Sequence, residues 1–261
     1  MAYSTILYDL ADGVATLTFN RPEVRNAFNA AMAEEVQSAL KNAERDENVR
    51  CVVLTGAGQG FCAGQDLTAL RDRGGEVSFR EHLQRTYNPI VMKLRSIEKP
   101  ILAAINGAAA GAGWGIALAC DIRYASDTAR FRLAFSGIGL APDSGTSFFL
   151  PRSIGLGRAL ELAYTNEMLD ANGALTLGLV NKVFLADQLL PATLELGRKL
   201  AQAPTRGLGL TKRAMNYALN VNLGEALDYE AHLQEIAGRT ADHHEGVRAF
   251  LEKRTPKFIG K

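Results

Sequence analysis

The first 150 residues alternate between short apolar runs and segments with helical spacing. Val14–Phe19, residues 51–55 and Ile101–Ile105 are apolar runs of the length and composition typical of buried strands. Between the first two runs, apolar side chains recur every fourth residue from Phe28 to Leu40, which predicts an amphipathic helix. Strands separated by helices imply right-handed crossovers and a largely parallel core sheet, so the pattern predicts an α/β protein.

The pattern changes after residue 151. Helical periodicity predicts helices at 157–165, 171–177, 188–202, 206–220 and 224–252, and only residues 180–184 resemble a strand. No linker, low-complexity tract or repeat separates the two parts. We therefore expect a core at residues 1–195, with the ligand site, and a helical subdomain at 196–261. The last helix carries more apolar surface than a free terminal helix needs, which indicates packing on a neighbouring subunit.

The composition excludes several classes of protein. The 261 residues are 47% hydrophobic, enough for a sizeable core. The 29 Lys and Arg against 28 Asp and Glu give a formal charge of +1, so we expect no nucleic-acid partner. Cys51, Cys62 and Cys120 are an odd number without C-x-x-C spacing, which predicts neither a disulfide framework nor a metal site and fits the cytoplasm.

One uncharged stretch, residues 101–120, is long enough to cross a bilayer. Pro100, Asn106 and four glycines interrupt it, so we predict a strand, a turn and a helix instead of a membrane span. The first residues lack a basic region followed by an apolar one, and acidic residues begin at Asp9. We therefore expect no signal peptide.

Two glycine-rich turns are the strongest candidates for a ligand site. They cover residues 56–64 and 106–113, each after a predicted parallel strand and before a helix. Open α/β sheets bind ligands at this end, where glycine lets a ligand approach unpaired backbone N–H groups. Tight turns without a ligand need the same glycines, so that alternative stays open. Neither turn contains a Walker sequence or G-x-G-x-x-G.

The sequence around these turns resembles the crotonase (enoyl-CoA hydratase/isomerase) superfamily over essentially the whole chain. The resemblance rests on Phe61-Cys-Ala-Gly-Gln-Asp-Leu67, Asn106-Gly-x-Ala-x-Gly111, Asn20-Arg-Pro-Glu23 and Asn26. It implies a spiral of β-β-α turns with a C-terminal helical subdomain used in trimerisation, and a homotrimer or dimer of trimers. It implies an acyl-CoA thioester substrate, with no cofactor beyond that coenzyme A and no metal. The thioester oxygen would bind the backbone N–H groups of Gln65 and Ala112, an oxyanion hole to which the side chain of Gln65 is incidental.

The same resemblance assigns the remaining contacts. Coenzyme A would bind Arg25, Ala63, Asp66, Leu67 and a C-terminal lysine, for which Lys257 substitutes because Ile259 stands at the usual position. A solvated basic tail is the alternative for Lys257. The acyl pocket would contain Trp114, Phe135, Ile138 and Leu140, although Trp114 could equally fill the core. Residues 68–85 are expected to cover this pocket.

The acid/base group distinguishes the activities of the superfamily. Its hydratases resemble one another in having two glutamates, and this chain has Gly115 and Phe135 at those positions. One carboxylate remains, Asp143, where members without the glutamates place their acid/base or nucleophile. A helix N-cap is the alternative role for Asp143. The histidines are predicted in helical or turn segments away from the glycine turns, so we expect no catalytic role for them.

Further stretches in both halves resemble the isomerases of bacterial phenylacetate degradation, among them 87–90, 134–136, 204–210 and 237–247. Those enzymes convert ring-1,2-epoxyphenylacetyl-CoA to oxepin-CoA and move Δ3 double bonds to Δ2. By that resemblance, Asp143 would remove a proton from C2 of the thioester. Three alternatives stay open: an enoyl-CoA hydratase, an enzyme similar to 4-chlorobenzoyl-CoA dehalogenase, and an acyl-CoA-binding protein without catalysis.

Overall fold

The computed structural model describes residues 3–71 and 78–261, apart from the side chain of Leu70. The strands within these residues are β1 (Ile6–Ala11), β2 (Val14–Phe19), β3 (Cys51–Gly56), β4 (Gly60–Cys62), β5 (Ile101–Ile105), β6 (Ala108–Ala110), β7 (Ile122–Ser126), β8 (Arg130–Arg132), β9 (Leu169–Asp170) and β10 (Lys182–Phe184). The helices are α1 (Ala30–Arg45), α2 (Leu67–Arg71), α3 (Phe79–Arg85), α4 (Tyr87–Ser96), α5 (Ala112–Ala119), α6 (Thr146–Ile154), α7 (Leu156–Thr165), α8 (Ala171–Thr176), α9 (Ala186–Ala201), α10 (Thr205–Ala218), α11 (Leu223–Gly238) and α12 (Ala241–Leu251).

The described strands form two sheets. The larger has the order β1-β2-β3-β5-β7-β10 and is parallel from β2 onward, as the alternation of strands and helices predicted. The smaller has the order β4-β6-β8-β9 and is parallel from β4 to β8. The sequence pattern did not indicate this second sheet, because strands of two or three residues are too short to show a periodicity.

Successive strand pairs step from the larger sheet to the smaller one. β3 leads to β4, β5 to β6 and β7 to β8, and helices follow each pair. This repeat is the predicted spiral of β-β-α turns, and the α/β class is confirmed. Because Gly60 pairs with Ala108 and Cys62 with Ala109, the segments after β4 and β6 lie side by side. β4 and β6 lie within the two glycine-rich turns, so this pairing brings the ends of both turns together.

Two of the turn glycines are required by chain packing alone. A Cβ atom on Gly56 would lie 2.1 Å from the carbonyl oxygen of Gly60, and one on Gly107 would lie 1.9 Å from that of Gln59. No larger residue fits such contacts. Glycine is therefore required at these two positions with or without a ligand, while the positive φ that a tight turn needs occurs at Gly58, Gly64 and Gly111.

The C-terminal third is helical, with two differences from the prediction. The helix expected at 224–252 is divided into α11 and α12, because Thr240 accepts a hydrogen bond from the N–H of His243 at 3.0 Å and starts a new helix. Helix α9 packs on the larger sheet through Leu189 and Ala201. The expected division at residue 195 lies within α9. Among the described residues, no helix is long and apolar enough to cross a membrane.

Candidate active site

Two unused backbone donors lie on the segments that β4 and β6 bring together. The carbonyl of Gly64 accepts from the N–H of Phe28 at 2.7 Å, so the N–H of Gln65, on the opposite side of the same peptide, points away from Phe28. The N–H of Ala112 opens α5, where first-turn donors lack helical partners. Neither N–H donates to an acceptor within 3–71 and 78–261. A Cβ atom on Gly64 would lie 3.4 Å from the nitrogen of Ala112, so the two segments touch.

The side chain of Gln65 makes four polar contacts. Its Nε2 donates to the carbonyl oxygens of Phe28 and Asp66, each at 3.1 Å. Its Oε1 accepts from the hydroxyl of Tyr87 at 2.8 Å and lies 2.8 Å from Nε2 of His82. The expectation that the histidines lie away from the glycine turns is therefore wrong for His82. Sequence spacing could not show this contact, because it joins α3 to the loop before α2.

Asp143 lies in the turn before α6, and its carboxylate is half-buried. Its Oδ1 accepts from the hydroxyl of Ser144 at 2.8 Å. Helix α6 has Gly145 at its N-cap and no side-chain cap, so the capping role considered for Asp143 is wrong. Burial raises the pKa of the Asp143 carboxyl, and the Ser144 hydroxyl opposes that rise. A carboxyl whose pKa is raised can both take and return a proton near neutral pH.

The turn that carries Asp143 packs directly on α5. Ser144 is buried with a φ of 52°, and a Cβ atom on Gly115 would lie 2.7 Å from the Ser144 carbonyl oxygen and 2.8 Å from its Cβ. Position 115 is where the resemblance places the first hydratase glutamate. A glutamate there would collide with the backbone beside Asp143. Neither of the two hydratase positions, 115 and 135, carries a carboxylate here, and Asp143 lies on the turn that packs on α5.

We expect Gly115→Ala to destabilise the protein by about 1–3 kcal/mol, because the added methyl group overlaps backbone atoms of Ser144 that cannot move without shifting the turn. Urea unfolding of the purified variant measures this. Gly157→Ala in α7 is the matched control: nothing lies within 4 Å of its Cβ, so replacing a helical glycine should be neutral or stabilising by up to about 1 kcal/mol. Equal effects in the two variants would contradict the packing argument.

The residues predicted to bind coenzyme A divide into two groups. Arg25 and the loop before α2 come together, since the Arg25 carbonyl accepts from the N–H of Ala63 at 3.0 Å. Leu67 is 50% exposed beside them. The Asp66 carboxylate accepts from the N–H of Ala69 and pairs with Arg21, each at 3.0 Å, and these contacts lower its pKa. Its side chain therefore holds the loop in place.

Lys257 belongs to a different edge of the molecule. The guanidinium of Arg50 donates to the carbonyl of Phe258 at 3.1 Å, and Arg50 immediately precedes β3. The glycine turn at Gly56 lies at the other end of this six-residue strand, about 20 Å away. Within one subunit the structure does not bring Lys257 to the loop before α2. A contact with the same ligand would require a neighbouring subunit.

The residues predicted for the acyl pocket also differ in placement. Trp114 is 1% exposed and packs on Phe131 with ring centroids 5.5 Å apart, so it fills the core and is not an open pocket wall. Phe135 is buried, and its carbonyl accepts from the N–H of Leu140 at 3.0 Å. Ile138, on the turn between them, is 55% exposed. The part of the predicted pocket cover at 72–77 lies outside the described residues.

Other kinds of catalytic group find little support. Burial raises the pKa of each of the three free cysteine thiols to about 12, so none is a thiolate nucleophile near neutral pH. Outside 1–2 and 72–77, no group of three or more His, Cys, Asp or Glu side chains could hold a metal ion. The acid/base candidate that remains is Asp143, on the turn that packs on α5.

Comparison with known proteins identifies the family of this chain. The family model for enoyl-CoA hydratase/isomerase matches residues 9–261. The chain is 45% identical to 1,2-epoxyphenylacetyl-CoA isomerase of Escherichia coli, covering 98% of each chain. It is 38% identical to trans-2-decenoyl-[acyl-carrier-protein] isomerase of Streptococcus mutans, covering 100% of each.

The solved structures give the same answer for the fold. The crystal structure of an enoyl-CoA hydratase from Bacillus anthracis matches with a TM-score of 0.92 at 35% identity, covering 99% of this chain and 100% of that one. The repeat of strand pairs, the touching glycine turns and these full-length similarities lead to one conclusion: the chain belongs to the enoyl-CoA hydratase/isomerase family.

Proposed function

We propose that this enzyme is an acyl-CoA isomerase that works through a thioester enolate. The observation that carries the proposal is the single half-buried carboxylate of Asp143, on a turn that fills the space over Gly115. Addition of water across a double bond is commonly shared between two acid/base groups, whereas moving a double bond needs one group that returns the proton it takes. The relatives named as isomerases support the same choice.

The proposed reaction begins at C2 of the thioester. The Asp143 carboxylate takes a C2 proton, and the electron pair moves to the thioester oxygen, which becomes an enolate. The N–H groups of Gln65 and Ala112 stabilise this oxygen, and the positive end of α5 adds to their effect. For a Δ3-enoyl substrate, the enolate collapses and Asp143 returns the proton to C4, which gives the Δ2 isomer. Only protons move, so we propose that no cofactor takes part.

We propose two substrate classes that share this enolate. The first is a Δ3-enoyl-CoA. The second is ring-1,2-epoxyphenylacetyl-CoA of phenylacetate catabolism: after Asp143 takes the C2 proton, the C–C bond between the two epoxide carbons breaks, and Asp143 returns the proton to a ring carbon, which gives the isomeric oxepin-CoA. The support for the epoxide is the identity to 1,2-epoxyphenylacetyl-CoA isomerase. Arg25, Ala63 and Leu67 are proposed to bind coenzyme A, and Phe135, Ile138 and Leu140 to line the acyl pocket.

The test is product analysis of a 3-enoyl-CoA in water labelled with ¹⁸O. An isomerase gives the 2-enoyl product without the label. A hydratase adds water only to the conjugated double bond, so a 2-enoyl-CoA is tested separately: a labelled 3-hydroxyacyl-CoA from it, with the 3-enoyl-CoA unchanged, would replace the proposal with the hydratase alternative. If both thioesters and the epoxide bind but stay unchanged, a binding protein or a dehalogenase-like enzyme is favoured.

We expect Ser144→Ala to move the acidic limb of the pH–rate profile to higher pH. The Ser144 hydroxyl lowers the pKa of Asp143, whereas burial raises it. Without the hydroxyl only the effect of burial remains, so the pKa of Asp143 should rise. Since the base must be ionised to take the proton, the rate then rises only at higher pH. Profiles of kcat/KM measure the limb. Ser153→Ala, which removes a hydroxyl bonded to the Phe149 carbonyl within α6, should leave the limb in place; a shift in both variants would contradict the assignment.

We further propose a homotrimer or a dimer of trimers, with Lys257 reaching the coenzyme A of a neighbouring subunit. Large apolar side chains exposed on the C-terminal helices support this, among them Leu223, Phe250 and Leu251, which are 74–82% exposed. Light scattering should give three or six times 28.1 kDa; a monomer would contradict the proposal. The cytoplasm, a reducing compartment, suits the three free cysteines.

A further inference from the structure

The amide of Gln65 uses its whole hydrogen-bonding capacity. Two N–H groups of Nε2 reach two carbonyl oxygens, and the two lone pairs of Oε1 face the Tyr87 hydroxyl and the His82 imidazole. The opposite orientation of the amide would place its oxygen against two carbonyl oxygens. The contacts therefore fix the amide orientation, and they require a hydrogen on Nε2 of His82.

The partners of this amide come from separate parts of the chain. Phe28 precedes α1, His82 lies in α3, and Tyr87 opens α4. Tyr87 is 1% exposed, and its ring packs on those of Phe28 and His82 with centroids 5.7 and 5.9 Å apart. Burial, together with the neighbouring Cys62, Asp143 and Asp66, raises the pKa of Tyr87, so its hydroxyl remains a donor.

The residue before Gln65 is a glycine with a positive φ. Gly64 has a φ of 91°, a conformation that glycine adopts without strain. Rotation at Gly64 would change the direction of the Gln65 N–H. That direction therefore depends on the bond between the Gly64 carbonyl and the N–H of Phe28, at 2.7 Å, and on the contacts of the Gln65 side chain.

We propose that Tyr87 and His82 are positioning residues for the oxyanion hole, which act through the side-chain amide of Gln65 to hold its backbone N–H in the direction that stabilises the enolate. This inference rests on the proposed function. It gives the Gln65 side chain, expected to be incidental, a share in catalysis. It also connects α3, beside the predicted pocket cover, to the reacting oxygen.

Because the Tyr87 hydroxyl and the His82 imidazole donate to the same oxygen, Oε1 of Gln65, the effects of removing them should depend on each other. Removing either the Tyr87 hydroxyl or the His82 imidazole leaves Oε1 of the half-buried Gln65 with one of these two donors, whereas removing both leaves it with neither. The double variant should therefore lose more than the product of the two single losses. Because the rings of Tyr87 and His82 also pack on each other, packing alone would couple the two variants in stability, so the coupling that tests the inference is read in kcat and in the C=O frequency of a bound thioester.

The experiment compares Tyr87→Phe, His82→Leu and their combination. Each single variant should lower kcat for Δ3-to-Δ2 isomerisation by less than about tenfold, and the double variant by about 10²-fold, approaching the loss of an oxyanion donor. KM should change less than kcat, since the proposed coenzyme A contacts are made by Arg25, Ala63 and Leu67 and not by the Gln65 amide. His82→Gln, which keeps an N–H donor, should restore much of the activity that His82→Leu loses. Tyr124→Phe, a buried tyrosine on β7 packed beside Phe184, is the matched control and should match the wild type.

A second readout reports the oxyanion hole directly. The infrared C=O stretch of a saturated, carbonyl-¹³C-labelled acyl-CoA should fall to lower frequency on binding to the wild type, because the N–H donors polarise the carbonyl. In the double variant the frequency should return toward its value in solution. A saturated thioester does not isomerise, so this measurement stands even if the enzyme catalyses another reaction.

The outcomes separate the inference from the proposed function. If the wild type isomerises the substrate but the double variant keeps both its kcat and its C=O shift, the inference is wrong and the function stands. If the wild type does not isomerise, the function is wrong, and the C=O shift alone decides the inference. Thermal melting checks folding; should the double variant not fold, the single variants and the His82→Gln rescue decide, and unchanged kcat and C=O shift in Tyr87→Phe would overturn the inference.

Discussion

Asp143→Asn should lower isomerisation and C2 proton exchange by about 10²–10⁴-fold, the usual contribution of a general acid/base. Asparagine has nearly the same shape and can still accept the Ser144 hydrogen bond, but it cannot take a proton. Exchange in deuterated buffer, followed by NMR of the C2 protons, measures the effect. Affinity for coenzyme A should not change. Exchange at the wild-type rate in the variant would show that another group is the base.

The same substitution should stabilise the fold at alkaline pH. Burial raises the pKa of the Asp143 carboxyl, so the stability that the protonated group provides is lost as the pH rises through that pKa. The asparagine side chain of the variant would carry no charge at any pH. The melting temperature of the variant should therefore exceed that of the wild type at pH 8, and the difference should vanish below the ordinary pKa of an aspartate. A variant that melts lower at pH 8 would contradict this reasoning.

Ala112→Pro should lower kcat by about 10²–10³-fold, because proline has no N–H and one oxyanion donor is lost. The fold should tolerate it. Ala112 is the first residue of α5, where proline fits, and its N–H has no partner in the described chain to lose. The preceding Gly111 has φ 52° and ψ −128°, outside the α region that a following proline disfavours.

The matched control for this variant is Ala112→Gly, which keeps the N–H and removes only a methyl group. Steady-state kinetics and the melting temperature of both variants are compared with the wild type. A low kcat in Ala112→Pro, with a melting temperature near that of Ala112→Gly, is the expected result. Equal kcat values in the two variants would show that the N–H of Ala112 is not an oxyanion donor.

The strands β2, β3 and β5 of the larger sheet and helix α1 could be predicted because their apolar pattern extends over five or more positions, whereas β1 was not predicted. Residues 101–105 and the apolar face of the helix from Met32 to Leu40 are buried as the pattern indicated. The smaller sheet could not, since β4 and β6 have three residues each. The break between α11 and α12 depends on one side-chain cap at Thr240, which a periodicity does not register.

The candidate site also contains residues that the sequence could identify and contacts that it could not. The motif around Gln65 and the turn around Ala112 are continuous in sequence, so a resemblance could identify them. The contact of His82 with Gln65 joins residues 17 positions apart in the sequence. The close approach of Gly115 and Ser144 joins residues 29 positions apart. Spacing alone carries no information about such contacts. Lys257 lies near the start of β3, at the end far from the glycine turn, and this position likewise depends on the path of the C-terminal segment.

The contact between Gly115 and Ser144 restricts how this scaffold can change its chemistry. A glutamate at 115 and the present turn at 143–145 need the same volume, so the one-carboxylate and two-carboxylate designs exclude each other in space. A single substitution in either element would leave a protein that does neither reaction well. We therefore expect that converting one design into the other, in the laboratory or in evolution, requires the turn at 143–145 and position 115 to change at the same time. Single substitutions made one after another would not connect the two activities.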